Sequence, residues 1–481
     1  VGDHGGGPTA EMLEQLALWQ QQSERGAPLA PQRHGSLRAY LQQLEPQAPR
    51  LPIWRDELYL ELHRGCATSR PDQKRHNRSL ERLLREADLA QVLAATGSPA
   101  EADAGWSNLL FQQFHDILPG TSVPEVFEQA EPQWRQVRRQ ARCRRDQALH
   151  SWLAPAGGSV GPGAALPSAE QQAWTVAQLQ PLPGQHRCLR LPAGSWSQAD
   201  GTPLPMQVAA NGGCWLQLPS IAGVAALGLQ RRLLPAADRA AADRAASLEA
   251  GVDHPVHGQS LDEGQWRIGN GLLSVVLGPG GIEQLWDGDG RAYLAAAAGL
   301  RCYRDSGEFW DAWDLAADYP AHARPLHWDA AGWQVLEQGP LCTHVHRRGR
   351  CGQSPLRLDV RLLAGTPWLE MWLSVDWRER HALLRFEAPL AQQPQRWASD
   401  TSGGILERPA KAVTAREQAR WEVAAISWMA AEAAAPGGGL GVLLDGPQGV
   451  SVAPEALGVS LLRGPTWPDP GADNGQQRQR L

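Results

Sequence analysis

The residues best suited to chemistry in this sequence lie in the stretch QQFHDILPGTS, residues 112–122. It follows an amphipathic run that predicts a helix, sets His115 beside Asp116, and predicts a sharp turn at Pro119-Gly120. Adjacent helical residues point about 100° apart, so the two side chains can serve one site while contacting different atoms. A zinc ion suits the imidazole and a sugar diol suits the carboxylate. On these residues alone, a capping or buried structural histidine is the simpler alternative.

Two further patterns with metal-ligand spacing occur later in the chain, His327 with Asp329 and His344 with His346. The second pair is expected on one face of a strand, because side chains alternate along a strand. A polar strand face is the preferred interpretation of both patterns. A zinc site takes four ligands, so the pair in residues 112–122 cannot complete one by itself.

The composition sets limits on function. The chain of 481 residues is too long for one hydrophobic core, and 42% hydrophobic with 20% charged residues is typical of a globular protein of about two to four domains. A net charge of −6 argues against a nucleic-acid partner. The sequence contains no run of 18 apolar residues, so no membrane-spanning helix is expected. Seven scattered cysteines indicate a reducing compartment, and the cytoplasm is the expected location.

Most of the first 150 residues predict helices. Residues 8–22 form one, with Thr9 as the N-cap, after a glycine loop, GDHGGGPT, that is interpreted as a plain loop in preference to a phosphate cradle. Between residues 31 and 150, three amphipathic runs with short connections predict a bundle. The third run is expected to begin at a capping box of Ser122 and Glu125 and to kink at Pro132. The three apolar stripes are Leu80, Leu83, Leu84, Ala87 and Val92; Trp106, Leu109, Leu110 and Phe114; and Val126, Ala130, Trp134, Val137 and Ala141.

The character of the chain changes near residue 150. Residues 154–170 are a Gly/Pro/Ala linker, and short alternating or apolar runs bounded by GPGG and DGDG turns follow. This pattern predicts an all-β, sandwich-like region.

Several separate motifs resemble the α-mannosidases of glycoside hydrolase family 38. The opening GDHGGGPT is similar to that family's GDGGGGPT loop, with His4 in place of a glycine. The other similar motifs are LPIWRDELYLELHRGCATSRPDQKRHNRSLERLLREADLA (51–90), LLFQQFHDILPGTSVPEVFEQA (109–130), GEFWDAWDLAADY (307–319), VDWRERHALLRFEAP (375–389) and GVSLLRGPTWPDPGAD (458–473).

The resemblance implies a specific chemistry. The family hydrolyses terminal α-mannosides with retention, using an aspartate nucleophile and one zinc ion that grips the 2- and 3-hydroxyls of the sugar. By this resemblance, His115 is one of four zinc ligands and Asp116 binds sugar hydroxyls.

This chain departs from the family pattern at its start. The other zinc ligands, a His-x-Asp pair and the nucleophilic aspartate, belong to an N-terminal α/β domain of which the sequence contains only a short part. Retention needs two carboxyl groups about 5 Å apart, and Asp3 is a candidate acid/base or substrate contact, with a loop-stabilising role as the alternative. Carboxylates and tryptophans of GEFWDAWD could reach the site, but packing between domains is the preferred interpretation of Glu308, Trp310, Asp311, Trp313 and Asp314.

We therefore expect a multidomain α+β protein in three parts. Residues 1–30 are a remnant of the α/β catalytic domain, residues 31–150 a three-helix bundle, and residues 151–481 a β-sandwich domain that is itself truncated. The expected function is a zinc-dependent retaining α-mannosidase acting on an α-mannoside oligosaccharide or glycan, with this chain inactive alone because it lacks the nucleophile. A non-catalytic carbohydrate-binding or assembly module that complements a separate N-terminal half is the alternative. A homo-oligomer is left open.

Overall fold

The computed structural model describes residues 7–30, 35–97, 99–153, 171–180, 185–233, 251–261, 264–307, 310–433, 438–453 and 455–481. The chain divides into two compact units, Val1–Tyr59 and Leu60–Leu481.

The first unit contains two short helices. Helix α1 is Ala10–Glu24 and α2 is Leu37–Leu44, followed by a 3-10 turn at Glu45–Arg50. The Thr9 hydroxyl accepts a hydrogen bond from the backbone N–H of Met12, which confirms the predicted N-cap. Neither helix has a buried residue among those described, so the apolar face of α1 is not covered within this unit.

The second unit begins with three helices that share a core. They are α3 Pro71–Leu93, α4 Pro99–Gln112 and α5 Pro124–Leu153, and a 3-10 turn at Arg64–Ala67 precedes them. Trp134 is fully buried at the centre, and its indole N–H donates to the Gln73 side-chain oxygen at 2.8 Å. The core cluster consists of Leu80, Leu83, Leu84, Leu109, Ala130, Trp134, Val137 and Ala141.

Most residues in the middle of the predicted apolar stripes are buried, as expected, but some at the ends of the stripes are exposed. Val92, in the stripe predicted for α3, is 76% exposed. Leu110 and Phe114, in the second predicted stripe, are more than half exposed. Helix α5 begins at Pro124, so Ser122 lies one residue before the N-cap position. Proline is well suited to the first helical position, because its missing N–H would have no intrahelical partner there.

The remainder of the second unit consists mainly of short strands. The first thirteen are β1 Gln171–Gln178, β2 Gln185–Pro192, β3 Ser195–Gln198, β4 Met206–Val208, β5 Gly213–Ile221, β6 Ala225–Arg232, β7 His257–Ser260, β8 Trp266–Gly269, β9 Leu273–Gly278, β10 Gly281–Asp287, β11 Gly299–Arg304, β12 Ala323–Arg324 and β13 Leu326–Trp328. The next thirteen are β14 Gln334–Glu337, β15 Cys342–Cys351, β16 Ser354–Leu363, β17 Glu370–Trp377, β18 Ala382–Pro389, β19 Pro394–Thr401, β20 Gly404–Pro409, β21 Val423–Ala425, β22 Trp428–Ala433, β23 Gly439–Leu443, β24 Gln448–Val452, β25 Ala456–Arg463 and β26 Gly475–Arg480. Helix α6, Ala415–Ala419, and a 3-10 turn, Tyr319–Ala321, interrupt the series.

These strands form six sheets, more than the two of a simple sandwich. Their orders are β1-β6-β3, β2-β5-β4, β10-β9-β8-β7, β12-β11-β18-β25-β24-β21, β13-β15-β16-β17-β26 and β20-β19-β22-β23, and β14 pairs with β15. Every pairing among the described strands is antiparallel. The predicted α+β class, with antiparallel strands after the helices, is confirmed.

Two further observations concern the described helices and the cysteines. Among the described helices none is long and apolar enough to cross a bilayer. All seven cysteines have free thiols.

We predict that Trp134→Ala lowers the free energy of unfolding by about 3–5 kcal/mol, because it leaves a cavity between α3, α4 and α5. Urea titration followed by circular dichroism at 222 nm measures this loss. Val92→Ala, at an exposed position of α3, is the control and should stay within about 0.5 kcal/mol of the parent. Equal effects of the two changes would contradict the proposed core.

A second prediction concerns the thiols. Burial raises the pKa of Cys66 and Cys214 to about 11 and that of Cys188 to about 12, so these groups hold little thiolate at neutral pH. Cys143 is exposed. In the folded protein, Ellman's reagent should therefore react rapidly with one thiol, and Cys143→Ser should remove that phase. Seven thiols should react in denaturant without a reductant, and fewer than seven would reveal a disulfide.

Candidate functional site

The pair His115 and Asp116 lies in a series of turns and not on a helix. Helix α4 ends at Gln112, and the chain continues through tight turns closed by the bonds Ile117 N–H to Phe114 O at 2.9 Å and Thr121 N–H to Asp116 O at 3.0 Å. The expectation that the pair projects from helical positions is therefore wrong. Pro119 disfavours helical geometry at Leu118, so the helix could not have continued through the turn.

The Asp116 carboxylate is held at one oxygen. The Thr121 hydroxyl donates to Asp116 Oδ1 at 2.9 Å, and Thr121 itself is buried. The other oxygen, Oδ2, lies 3.6 Å from His115 Nε2. The side chain of Asp116 is 26% exposed, so Oδ2 can accept a hydrogen bond from a ligand hydroxyl.

The His115 imidazole is the accessible member of the pair. Its side chain is 70% exposed, and its ring centroid lies 4.1 Å from that of Phe114. An exposed neutral imidazole nitrogen beside a carboxylate can bind a cation. We name the segment Phe114–Thr121, including this pair, the HD turn.

The HD turn rests on the start of helix α3. Gly120 has a φ of +84°, and a Cβ at this position would lie 2.6 Å from the Ser69 carbonyl oxygen and 2.5 Å from Arg70 Cβ. Only glycine combines that conformation with so close an approach.

Arg70 fixes the segment that supports the turn. Its guanidinium forms ion pairs with Asp72 at 2.8 Å and with Asp469 at 3.0 Å. Its backbone N–H donates to the buried Asp473 carboxylate at 2.9 Å. Burial raises the pKa of Asp473 to about 6, and the backbone N–H donors of Arg70 and Arg463 oppose that rise.

The aspartates of GEFWDAWD take part in packing, in agreement with the preferred interpretation. Asp311 accepts hydrogen bonds from the backbone of Thr466 at 2.7 Å and of Trp467 at 2.8 Å. Asp314 accepts one from the Arg64 backbone at 3.3 Å, and the Trp313 carbonyl accepts one from Gly65 at 2.8 Å. The bonds of Asp314 and Trp313 hold their segment against the 3-10 turn that precedes α3, and those of Asp311 hold it against residues 466–467.

The other predicted donors are not brought to the HD turn by any contact described. His344 Nε2 lies 2.9 Å from Asp359 on the neighbouring strand β16, as expected of a polar strand face. His327 is exposed on β13. Asp3 and Glu308 lie outside the described residues.

Two residues that support the turn were not predicted from the sequence. Thr121 orients the carboxylate, and Lys74 donates from its buried ammonium to carbonyls of the HD turn. A signal for Lys74 was available, because it is one of two lysines among 45 lysine and arginine residues.

The donors present fit one ligand position of a zinc site and not a whole site. The described residues contain no group of three or more His, Cys, Asp or Glu side chains that could hold a metal ion. His115 is accessible and can supply a single nitrogen ligand.

We predict that Gly120→Ala destabilises the protein more than Gly290→Ala. Gly290 has a similar φ of +79° but nothing within 4 Å of the added Cβ, so it controls for backbone strain alone. Strain should cost about 1–3 kcal/mol at both sites, and the contact with Ser69 and Arg70 should add to the loss at Gly120. Urea titration of both variants measures the difference, and equal losses would contradict the close packing of the HD turn.

Two regions of the chain match domain models of one enzyme family. Residues 61–151 match the alpha mannosidase middle domain, and residues 268–471 match the glycosyl hydrolases family 38 C-terminal domain. The HD turn lies within the first match.

Similar proteins include alpha-mannosidase 2C1 of Homo sapiens, 28% identical over 99% of this chain and 42% of the relative's length. Alpha-mannosidase G of Dictyostelium discoideum is 25% identical over 99% of this chain and 45% of its own length. The chain thus spans less than half the length of these relatives.

Solved structures agree in fold. The crystal structure of an alpha-mannosidase from Enterococcus faecalis V583 aligns with a TM-score of 0.73, covering 96% of this chain and 60% of that one at 12% identity. A second glycosyl hydrolase family 38 protein from Enterococcus faecalis aligns with a TM-score of 0.71, again at 12% identity. The two domain models, together with the relatives that match nearly the whole chain, show that it belongs to glycoside hydrolase family 38 and carries its middle and C-terminal domains.

Proposed function

We propose that this chain is part of a zinc-dependent retaining α-mannosidase that hydrolyses terminal α-D-mannosides of an oligosaccharide or glycan. The observation that supports the proposal best is the HD turn itself. It presents an accessible imidazole and a carboxylate of which one oxygen accepts a hydrogen bond from Thr121. Both lie within the region that matches the family's middle domain.

The proposed roles of the two residues differ. The Thr121 hydroxyl holds Asp116 Oδ1, which leaves Oδ2 to accept hydrogen bonds from sugar hydroxyls. A bond to a charged acceptor is worth about 1.5–3 kcal/mol. His115 contributes one nitrogen ligand to zinc.

Zinc held there, with His115 as one of its ligands, would supply a positive charge for binding hydroxyls of the mannose ring. The remaining ligands and the nucleophile are proposed to come from an N-terminal α/β domain, because the described residues contain no further donors grouped around a metal position. Asp3 remains a proposed acid/base or substrate contact. The seven free thiols support a reducing compartment, and we propose the cytoplasm.

A non-catalytic module that complements a separate N-terminal half is the second candidate. The described residues contain no group of three or more donors that could hold a metal ion, and this motivates the second candidate. The coding sequence upstream of Val1 separates the two candidates, because an in-frame His-x-Asp motif and nucleophile-bearing domain would favour the enzyme.

We predict that the 481-residue chain alone binds zinc poorly and does not hydrolyse an aryl α-mannoside, since its described residues offer one zinc ligand of the four that a site needs. Metal analysis after dialysis and a chromogenic assay test both points. Hydrolysis above a heat-killed control that survives repurification would contradict the missing nucleophile.

In a longer form of the protein that does hydrolyse the aryl mannoside, His115→Ala should lose zinc and activity together. Asp116→Asn should lower kcat/KM by roughly one to two decades, at about 1.4 kcal/mol per decade, while its zinc content stays near that of the parent. Metal analysis beside steady-state kinetics separates the two roles.

Another exposed pair, His322 with Asp318 at 3.0 Å, is the matched control. His322→Ala and Asp318→Asn should change neither zinc content nor rate. Zinc retained in His115→Ala would refute its role as a ligand, and zinc lost in Asp116→Asn would make the carboxylate part of the metal site.

A further inference from the structure

Lys74 is a buried cation that the proposed function does not use. It lies on helix α3 and is 2% exposed. The chain has one other lysine, Lys411, and its remaining basic residues of the lysine and arginine types are all arginines. A buried ammonium loses its hydration, so its three N–H groups need acceptors from the protein.

Those acceptors are three backbone carbonyls from two segments. The ammonium donates to the Ser69 carbonyl, just before α3, and to the carbonyls of Leu118 at 3.1 Å and Pro119 at 2.9 Å. The last two belong to the HD turn, three and four residues after His115. One compact cation therefore ties the HD turn to the start of α3.

An arginine could not make the same arrangement. Three carbonyls converge on one nitrogen, whereas the donors of a guanidinium lie in a plane and spread over several atoms. This geometry gives a physical reason for a lysine at this position in a chain whose cations are otherwise arginine.

The groups that face the ammonium are Cys66, Asp473, Asp72 and Arg70. Burial lowers the pKa of Lys74 to about 8, and the two carboxylates oppose that change. Burial raises the pKa of the Cys66 thiol to about 11, so this neighbour stays neutral when Lys74 loses its proton.

We propose that Lys74 is a positioning residue whose ammonium sets the path of Leu118 and Pro119 and thereby holds His115 and Asp116 in place. Its importance for catalysis rests on the proposed function, but its effect on the HD turn does not. A neutral amine keeps two N–H donors for three carbonyls, so loss of the proton frees one of them.

The pH dependence distinguishes this role from a general contribution to stability. The pKa of Lys74 is lower in the folded protein than its ordinary value of 10.5, so the unfolded chain keeps the proton to higher pH. The contribution of Lys74 to the free energy of unfolding then rises between about pH 8 and 10.5. Loosening of the HD turn in that range therefore cannot be a consequence of lost stability at Lys74.

Hydrogen exchange on this chain tests the proposal without any need for activity. Lys74→Met keeps an apolar stem of similar length and removes the donors. It should speed exchange of the Ile117, Gly120 and Thr121 amides roughly ten-fold, with α5 unchanged. In Lys74→Arg, exchange of these amides should also be faster than in the parent. In Lys411→Met, a change at an exposed position, the exchange rates should equal those of the parent. Unchanged exchange in the HD turn of Lys74→Met, or equal acceleration in α3 and α5, would overturn the proposal.

A measurement on the unmutated protein covers the case in which Lys74→Met fails to fold. With 13C-labelled lysine, NMR should give two side-chain signals, assigned with Lys411→Arg. The Gly120 and Thr121 amide resonances should shift with the same midpoint as the Lys74 signal, near pH 8. Amides that do not follow the Lys74 midpoint would overturn the proposal.

A test of activity is separate from the exchange and NMR measurements. In a form that hydrolyses an aryl α-mannoside, Lys74→Met should lower kcat/KM and shift its alkaline limb, whereas Lys411→Met should not. If no form has mannosidase activity, the proposed function fails while the exchange and NMR results still decide the role of Lys74.

Discussion

The arrangement of the second unit depends on one buried guanidinium, that of Arg463 at the end of β25. It is fully buried and paired with Asp305 at 2.5 Å, and it also donates to the Ser69 hydroxyl at 2.9 Å and the Asp314 carbonyl at 2.6 Å. Gly65 allows this approach, because a Cβ there would lie 2.3 Å from the guanidinium. Removing one partner of a buried ion pair leaves the other charge uncompensated, typically at a cost of about 3–5 kcal/mol. The sheets and the helices therefore have little freedom to separate at this point.

The HD turn is the outermost part of a continuous series of contacts that starts at Arg463. Ser69 connects Arg463 to Lys74, and Lys74 connects Ser69 to the carbonyls of the turn. Burial decreases in the same direction, from the fully buried Arg463 to the mostly exposed imidazole of His115. A site that binds a ligand needs such a gradient, because the contacting groups must be accessible while their backbone is held rigidly.

The donor set places a chemical limit on what this surface can do by itself. One imidazole and one carboxylate can bind a cation or a hydroxyl weakly, but zinc chemistry and retention need further ligands and a second carboxyl group. The family's curated relatives are more than twice as long as this chain, which leaves ample sequence for those groups in a complete protein. In the proposed enzyme, the middle and C-terminal domains contribute one wall of the site and the support beneath it.

The sequence by itself determined the local and compositional properties of this protein. Period-3.6 stripes predicted the helices that bury Leu80, Leu109 and Trp134, and glycine-rich turns between apolar runs predicted antiparallel strands, because these signals act between neighbours in the chain. Family motifs singled out His115 and Asp116 as candidate site residues. The tertiary structure alone decided that the pair lies in a turn, that Thr121 holds the carboxylate and that Lys74 ties the turn to Ser69. These contacts could not be predicted, because Lys74 meets carbonyls more than forty residues away, and backbone carbonyls carry no sequence signature.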